Sequence, residues 1–125
     1  MVPQIFRREG EYWTVEFEGV VCRLKHTRGM QHLAALLARP GERVAAVELA
    51  GAIQGEGSES ARARLPDAIH HTERARVNVT RHLSRVIRRI AAHHPALGRH
   101  LDSTIRTGTL CSYMPDARLS VRWEQ

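Results

Sequence analysis

This chain of 125 residues is 42% apolar and 26% charged, which is typical of a soluble globular protein with one hydrophobic core. No run approaches the roughly 18 apolar residues of a membrane-spanning helix, and the N-terminus lacks the apolar segment of a secretory signal peptide. Cys22 and Cys111 lie far apart without a CxxC pattern. We therefore expect a cytoplasmic protein with reduced thiols, with a single disulfide as the open alternative.

The formal net charge of +6 indicates an anionic partner. Residues 61–125 carry twelve basic and five acidic side chains, whereas residues 1–60 carry seven and eight, so the excess lies in the second half. Of the 19 basic residues only Lys25 is a lysine. Arginine suits phosphates and guanine edges, but a GC-rich genome also enriches arginine, so the positions of the arginines must decide.

The first half of the chain is predicted to form a β-hairpin followed by two helices. Residues 11–24 alternate between apolar and polar side chains around Glu18-Gly19, a pattern typical of a hairpin with a two-residue turn. Thr27 is a predicted N-cap, and the helix that it begins is expected to end at Pro40-Gly41. Helical spacing of apolar residues predicts a second short helix over residues 44–53.

The second half is predicted to contain one long helix and then short strands. Residues 54–66 form a predicted loop, and the long helix begins between residues 67 and 73 and ends before Pro95. After a short helical turn we expect a series of strands, with the turn at residues 96–101 and the strands at residues 103–107, 109–114 and 119–123. This order of elements predicts an α+β fold.

The long helix has two chemically distinct faces. At about 100° per residue, Val79, Leu83, Val86, Ile87 and Ile90 fall on one stripe. The opposite stripe is basic and polar, and contains Arg74, Asn78, Arg81, Arg85 and Arg88. One face is therefore predicted to pack on the core and the other to meet an anionic partner.

A merely solvated helix face is the simplest alternative, and three observations disfavour it. Residues 74–89 contain six arginines and no acid, so Glu–Arg pairs at i,i+4 are missing. Like charges at i,i+4, such as Arg81 and Arg85, destabilise a helix by a few tenths of a kcal/mol each unless a partner neutralises them. Asn78, in the same stripe, is a residue type that pairs bidentately with adenine.

Three segments resemble the DNA-binding effector domain of OmpR/PhoB-type response regulators. Residues 18–44 resemble its strand, its Thr-capped first helix and its "ALLARPG" turn. Residues 79–90 resemble the "V…HISRLRRKL" recognition helix, and residues 104–113 resemble the "TVRGVGYRF" wing. Residues 73–80, 93–101 and 106–109 also resemble C-terminal regions of large bacterial ATPase-type signalling proteins. The third helix is longer than in the effector domains, and the wing lacks their second glycine.

The resemblance implies one winged-helix domain over residues 1–125, with a small N-terminal antiparallel sheet, three helices and a C-terminal β-hairpin wing. It implies a bacterial DNA-binding transcriptional regulator that places residues 73–94 in the major groove as recognition helix. Base reading falls to Asn78, Arg81 and Arg85, with Thr80 and His82 as flanking candidates. Arg74 and Arg89 would hold phosphates, and the wing around residues 104–114 would lie on the minor groove or its phosphates through Arg106. The remaining expected DNA contacts are Arg88, Thr107 and Thr109.

Eight histidines raise the question of a metal site or an enzyme. The dense places are His70-His71, His93-His94 and His100, but adjacent histidines on a helix point about 100° apart and rarely share a metal. The sequence contains no HExxH, CxxC, GxSxG or P-loop motif. We therefore predict a non-enzyme without metal or cofactor.

The expected partner is double-stranded DNA, without a membrane. Two further possibilities stay open. The protein could bind repeated half-sites as a homodimer, and it could contact RNA polymerase or another protein. The principal alternative is a protein-interaction winged-helix module that docks an acidic partner through its arginines. RNA ranks third, since the chain lacks clustered exposed aromatic residues for stacking bases.

Overall fold

The computed structural model describes residues 4–54, 68–115 and 123–125. The elements in chain order are β1 (Gln4–Glu9), β2 (Tyr12–Phe17), β3 (Val20–Lys25), α1 (Arg28–Leu37), β4 (Arg43–Ala45), α2 (Ala46–Gln54), α3 (Ala68–His93), α4 (Pro95–Thr104), β5 (Ile105–Arg106), β6 (Leu110–Tyr113) and β7 (Trp123–Glu124). The α+β prediction is confirmed. Beyond Gln54, the loop predicted at residues 54–66 lies outside the described residues, as does most of the strand predicted at residues 119–123.

The first sheet contains the predicted hairpin. Its strand order is β3-β2-β1-β7, with antiparallel pairs except for β1 and β7, which are parallel. Glu18 and Gly19 both have positive φ, 51° and 81°, as the tight turn between β2 and β3 requires. Strand β1 was not predicted, because within residues 4–9 only Ile5 and Phe6 are apolar and only Phe6 is buried.

The first helix begins and ends as predicted. Thr27 has extended backbone, and its hydroxyl accepts a hydrogen bond from the Met30 amide at 3.2 Å. The helix ends at Leu37, before Pro40 and Gly41, and Gly41 has φ 82°. Buried side chains at helical spacing, such as Met30 and Leu33, fix it against the core.

The second helix begins two residues later than predicted. Residues 43–45 form β4, in which Val44 pairs with Cys111 of β6. Helical spacing alone places Val44 in the helix, but pairing with a distant strand takes precedence over local pattern. Both cysteines are free thiols, Cys111 buried and Cys22 partly exposed, as expected for reduced residues.

The number of helices differs from the prediction, because the described residues contain four rather than three. The turn expected at residues 96–101 is the ten-residue helix α4, which begins directly after the non-helical His94. The His94 ring caps it: Nδ1 accepts from the Leu97 amide at 3.3 Å, and Nε2 donates to the Phe17 carbonyl at 2.8 Å. The strand predicted from residue 103 therefore begins only at Ile105.

The second sheet joins the C-terminal hairpin to the helices. Its strand order is β4-β6-β5, all antiparallel, so the β5–β6 hairpin pairs with the strand between α1 and α2. One core connects both sheets and the helices, with Phe6, Leu36, Leu83, Leu101 and Tyr113 among its most buried side chains. No helix in the described part of the chain is long and apolar enough to span a bilayer.

Candidate nucleic-acid interface

Helix α3 packs its predicted apolar stripe on the core. The buried side chains along it recur at helical spacing, and they are Ala75, Val79, Leu83, Val86 and Ile90. Two glycines of other helices permit close approach: a Cβ on Gly29 would lie 2.5 Å from the His82 carbonyl oxygen, and one on Gly98 would lie 2.6 Å from the Ala91 Cα. Helices α1 and α4 therefore lie directly against α3 and fix its orientation.

The opposite side of α3 is the predicted basic stripe, and it faces solvent. We call it the arginine face, and its exposed members are Arg74, Asn78, Arg81, Arg85, Arg88 and Arg89. Among the described residues the ion pairs are Arg39–Glu48 and Arg76–Glu73, neither of which involves this face. The structure therefore brings six predicted site residues together on one exposed surface, without a carboxylate partner in the described residues.

One flank of the arginine face is formed by the start of α1. His82 is half-buried there, and its ring lies nearly parallel to that of His32 with a centroid distance of 5.6 Å. Burial lowers the pKa of His82, and the charges of Arg28, Arg85 and Arg81 lower it further. Positive charges from α1 and α3 thus converge around His82.

The other flank is a groove between α3 and the C-terminal hairpin. This cavity of about 440 Å³ is lined by Ser84, Ile87, Arg88, Asp102, Ile105 and Thr107. It brings the predicted contacts Arg88 and Thr107 to one concave surface. Arg88 also donates from Nε to the Ser84 carbonyl at 3.4 Å, so its side chain lies along the helix towards this groove.

The hairpin that corresponds to the predicted wing is short. Arg106 is exposed and pairs with Ser112, and the residues that connect the strands are 107–109. Gly108 has φ 138°, a conformation that side chains disfavour. The Thr109 carbonyl accepts from the Ala46 amide at 2.9 Å, so the hairpin is anchored at the start of α2. Arg106, Thr107 and Thr109 are all exposed near this turn.

Thr80 is placed apart from the arginine face. It is half-buried, and its hydroxyl oxygen is buried without a hydrogen-bond partner among the described residues. At about 100° per residue it lies on the core side of α3. Its hydroxyl is therefore not presented with the arginines.

Among the histidines with described side chains, His26, His32, His82, His94 and His100 take part in ring packing or hydrogen bonds, whereas His93 is exposed. His100 Nε2 contacts the Tyr113 hydroxyl at 2.7 Å, and that hydroxyl accepts from Trp123 Nε1 at 3.1 Å. Burial lowers the pKa of His100. Among the described residues, no three histidine, cysteine or acidic side chains group together as metal ligands would. The side chains of His70 and His71 lie outside the described residues.

The sequence prediction did not include Arg28 and His32, which the fold brings beside His82. Arg28 follows the N-cap Thr27, and nothing in the spacing within α1 relates it to α3, which follows 40 residues later in the chain. His32 lies among the apolar positions of α1 and is buried. Only the close crossing at Gly29 unites these residues.

No family model, curated protein or solved structure matches this chain. What it does must therefore be inferred from its own residues and their arrangement.

Proposed function

We propose that this protein is a DNA-binding transcriptional regulator that places α3 in the major groove of double-stranded DNA. The observation that carries the proposal is the arginine face, an exposed helical surface on which five arginines and Asn78 have no acidic partner among the described residues. In the free protein the like charges on this surface repel one another. The phosphates of DNA neutralise it and release counterions, which favours binding.

The order of residues across the face suits a groove. An α-helix fits the major groove of B-DNA, where base edges lie at the floor and phosphates line both walls. Asn78, Arg81 and Arg85 lie near the middle of the face and are the proposed readers of base edges. Arg88 and Arg89 point about 100° apart, so they reach towards opposite walls of the groove.

The C-terminal hairpin supports a winged-helix arrangement. It follows the helices and pairs with the strand between α1 and α2, and its exposed Arg106 is suited to a narrow minor groove or its phosphates. Helix α4 intervenes between α3 and this hairpin, a departure from the effector domains that the sequence resembles. The exposed basic side chain of α4 is Arg99, so α3 is the better candidate for recognition.

The proposal is tested by selecting duplexes from a random pool and measuring their affinity by fluorescence anisotropy. A bidentate base contact contributes about 1–3 kcal/mol. We therefore expect each arginine removed in the double variant R81A/R85A to weaken binding of the selected duplex about tenfold to a hundredfold. The matched control is R7A/R23A, which removes the same charge from exposed positions on the first sheet.

Equal affinities of the two double variants would contradict a specific role for the arginine face. If the wild-type protein retains no duplex even at low salt, DNA is not the ligand. An acidic protein partner would then be the better explanation of the same surface.

A further inference from the structure

Two histidines from different helices meet beside the arginine face. His32 Nε2 and His82 Nδ1 are 3.5 Å apart, and the two rings are inclined by only 18°. His32 is buried, with 2% of its surface exposed, whereas His82 is half-buried. The contact is fixed by the close crossing of α1 and α3, because Gly29 allows the α1 backbone to lie against the His82 carbonyl.

The hydrogen-bond partners of the pair select one arrangement of protons. His32 Nδ1 is buried without a partner among the described residues. If it carried the proton, a buried N–H would be left unpaired, which costs about 1–3 kcal/mol and is rarer in proteins than an unpaired acceptor. His32 therefore donates from Nε2–H to His82 Nδ1. His82 then carries its own proton on Nε2, and that atom is not among the buried unpaired atoms of the described residues.

The surroundings of His82 favour an anion. From α1 the charged and titratable neighbours are Arg28 and His32, and from α3 itself they are Arg81 and Arg85. Arg28, Arg81 and Arg85 are exposed and have no ion-pair partner among the described residues. A phosphate beside His82 would accept from its N–H and would lie in the positive field of three guanidinium groups.

We propose that His82 and Arg28 bind a backbone phosphate of DNA beside α3, and that His32 is the positioning residue that presents the His82 Nε2–H to it. The inference rests on the DNA-binding function proposed above. It adds Arg28 to that surface and places the buried His32 behind it. It also makes binding proton-linked, since a phosphate favours the charged form of the imidazole.

The sign of this linkage follows from the free protein. Burial and the neighbouring arginines lower the pKa of His82 when no ligand is present, so the ring is neutral at pH 7.5. A bound phosphate raises that pKa, and the added proton enters at Nδ1. His32 then accepts at Nε2 and carries its own proton on Nδ1. Affinity therefore increases as pH falls through the pKa of the complex, and it levels off below the pKa of the free protein.

The first test measures duplex affinity between pH 8 and pH 6 at constant ionic strength. We expect wild-type affinity to increase about fivefold to tenfold, because one pKa unit of difference corresponds to tenfold. The glutamine of H82Q provides an amide donor that does not titrate, so we expect the affinity of this variant for the duplex to be almost independent of pH. H26Q is the control, since His26 is a partly exposed histidine that follows β3, away from α3, and a glutamine oxygen can accept from Trp13 Nε1 in its place. It should follow the wild type.

H32L and H32Q separate positioning from folding. The leucine side chain of H32L cannot donate to His82, whereas the amide nitrogen of the glutamine in H32Q occupies nearly the place of Nε2. We expect H32L to bind the duplex more weakly than the wild type at pH 8, because His82 is neutral there and its tautomer is no longer fixed. H32Q should retain the wild-type affinity, with native near-UV circular dichroism in both variants. The tautomer is measured independently by nitrogen-15 NMR of the free wild-type protein, in which His82 should carry its proton on Nε2.

Either a His82 proton on Nδ1 or an unchanged pH dependence in H82Q overturns this inference while leaving DNA binding intact. A wild-type protein that binds no duplex at any pH overturns the proposed function, and this inference with it.

Discussion

His32 is a titratable side chain that is buried in the core, where the charged form of the ring is disfavoured. Burial, His82 and the Arg28 charge lower its pKa from 6.5 to about 4. The ring is therefore neutral in the folded protein at pH 7 and must enter the core without an added proton. The neutral ring can donate from Nε2, whereas a charged ring would be repelled by the nearby Arg28 guanidinium.

This burial predicts how stability depends on pH. Between pH 6.5 and pH 4 the unfolded chain binds a proton at His32 that the folded protein does not bind, so stability falls as the pH is lowered through this window. The contribution lost is about 3 kcal/mol by pH 4. Urea unfolding at pH 7, 5.5 and 4.5 measures it. H32Q should show a shallower decline than the wild type, and H93Q an unchanged one.

Parallel curves for the wild type and H32Q would contradict this account of His32. A residual slope is expected in H32Q, since burial also lowers the pKa of His26, His82 and His100. Those three act in the same direction as His32.

At the scale of elements, the contact between α3 and α4 depends on a missing side chain. Gly98 is buried, and a Cβ there would lie 2.6 Å from the Ala91 Cα, so neither helix can yield without moving its backbone. We expect G98A to lower the free energy of unfolding by about 1–3 kcal/mol. G51A is the matched control, because a Cβ on that helical glycine meets nothing within 4 Å.

G51A should raise stability by up to about 1 kcal/mol, since alanine is the better helix former and restricts the unfolded chain. Chemical denaturation of both variants measures the difference. A G98A protein as stable as the wild type would mean that α3 and α4 are not packed this closely.

Sequence patterns were sufficient to predict some helices and strands but not others. The span and faces of α3 were predictable, because apolar residues at helical spacing and Pro95 act within the segment itself. The extents of β4 and α4 were not. Val44 becomes a strand residue only through Cys111, and α4 is capped by a His94 ring whose other nitrogen is bonded to the distant Phe17.

For the whole molecule, the distribution of charge predicts how DNA binding responds to salt. If the four arginines of the face and hairpin that are not assigned to base edges contact phosphates, the logarithm of the association constant should fall with the logarithm of salt concentration with a slope of about −3 to −4. Anisotropy titrations between 50 and 200 mM salt give the slope. R74A should reduce it by about one, and a slope near zero would exclude phosphate neutralisation.

The candidate site is assembled partly from residues of one helix and partly from residues that packing brings beside it. The sequence alone contained the arginine face, because every member lies on one helix and the period of that helix relates them. Tertiary structure added the groove that unites Arg88 with Thr107 and removed the Thr80 hydroxyl from the surface. Neither follows from spacing, since both depend on what packs beside α3.

By itself, then, the sequence determined the α+β class, the two-faced third helix and the excess of arginine on its outer side. These are consequences of local periodicity, turn residues and charge, which act over a few residues. Only the tertiary structure decided that α4 is a full helix, that the hairpin pairs with β4, that His32 contacts His82, and that Arg28 lies close enough to lower the His82 pKa. Contacts between residues 50 positions apart, such as His32 and His82, depend on how closely two helices can cross, and a glycine at the crossing decides that.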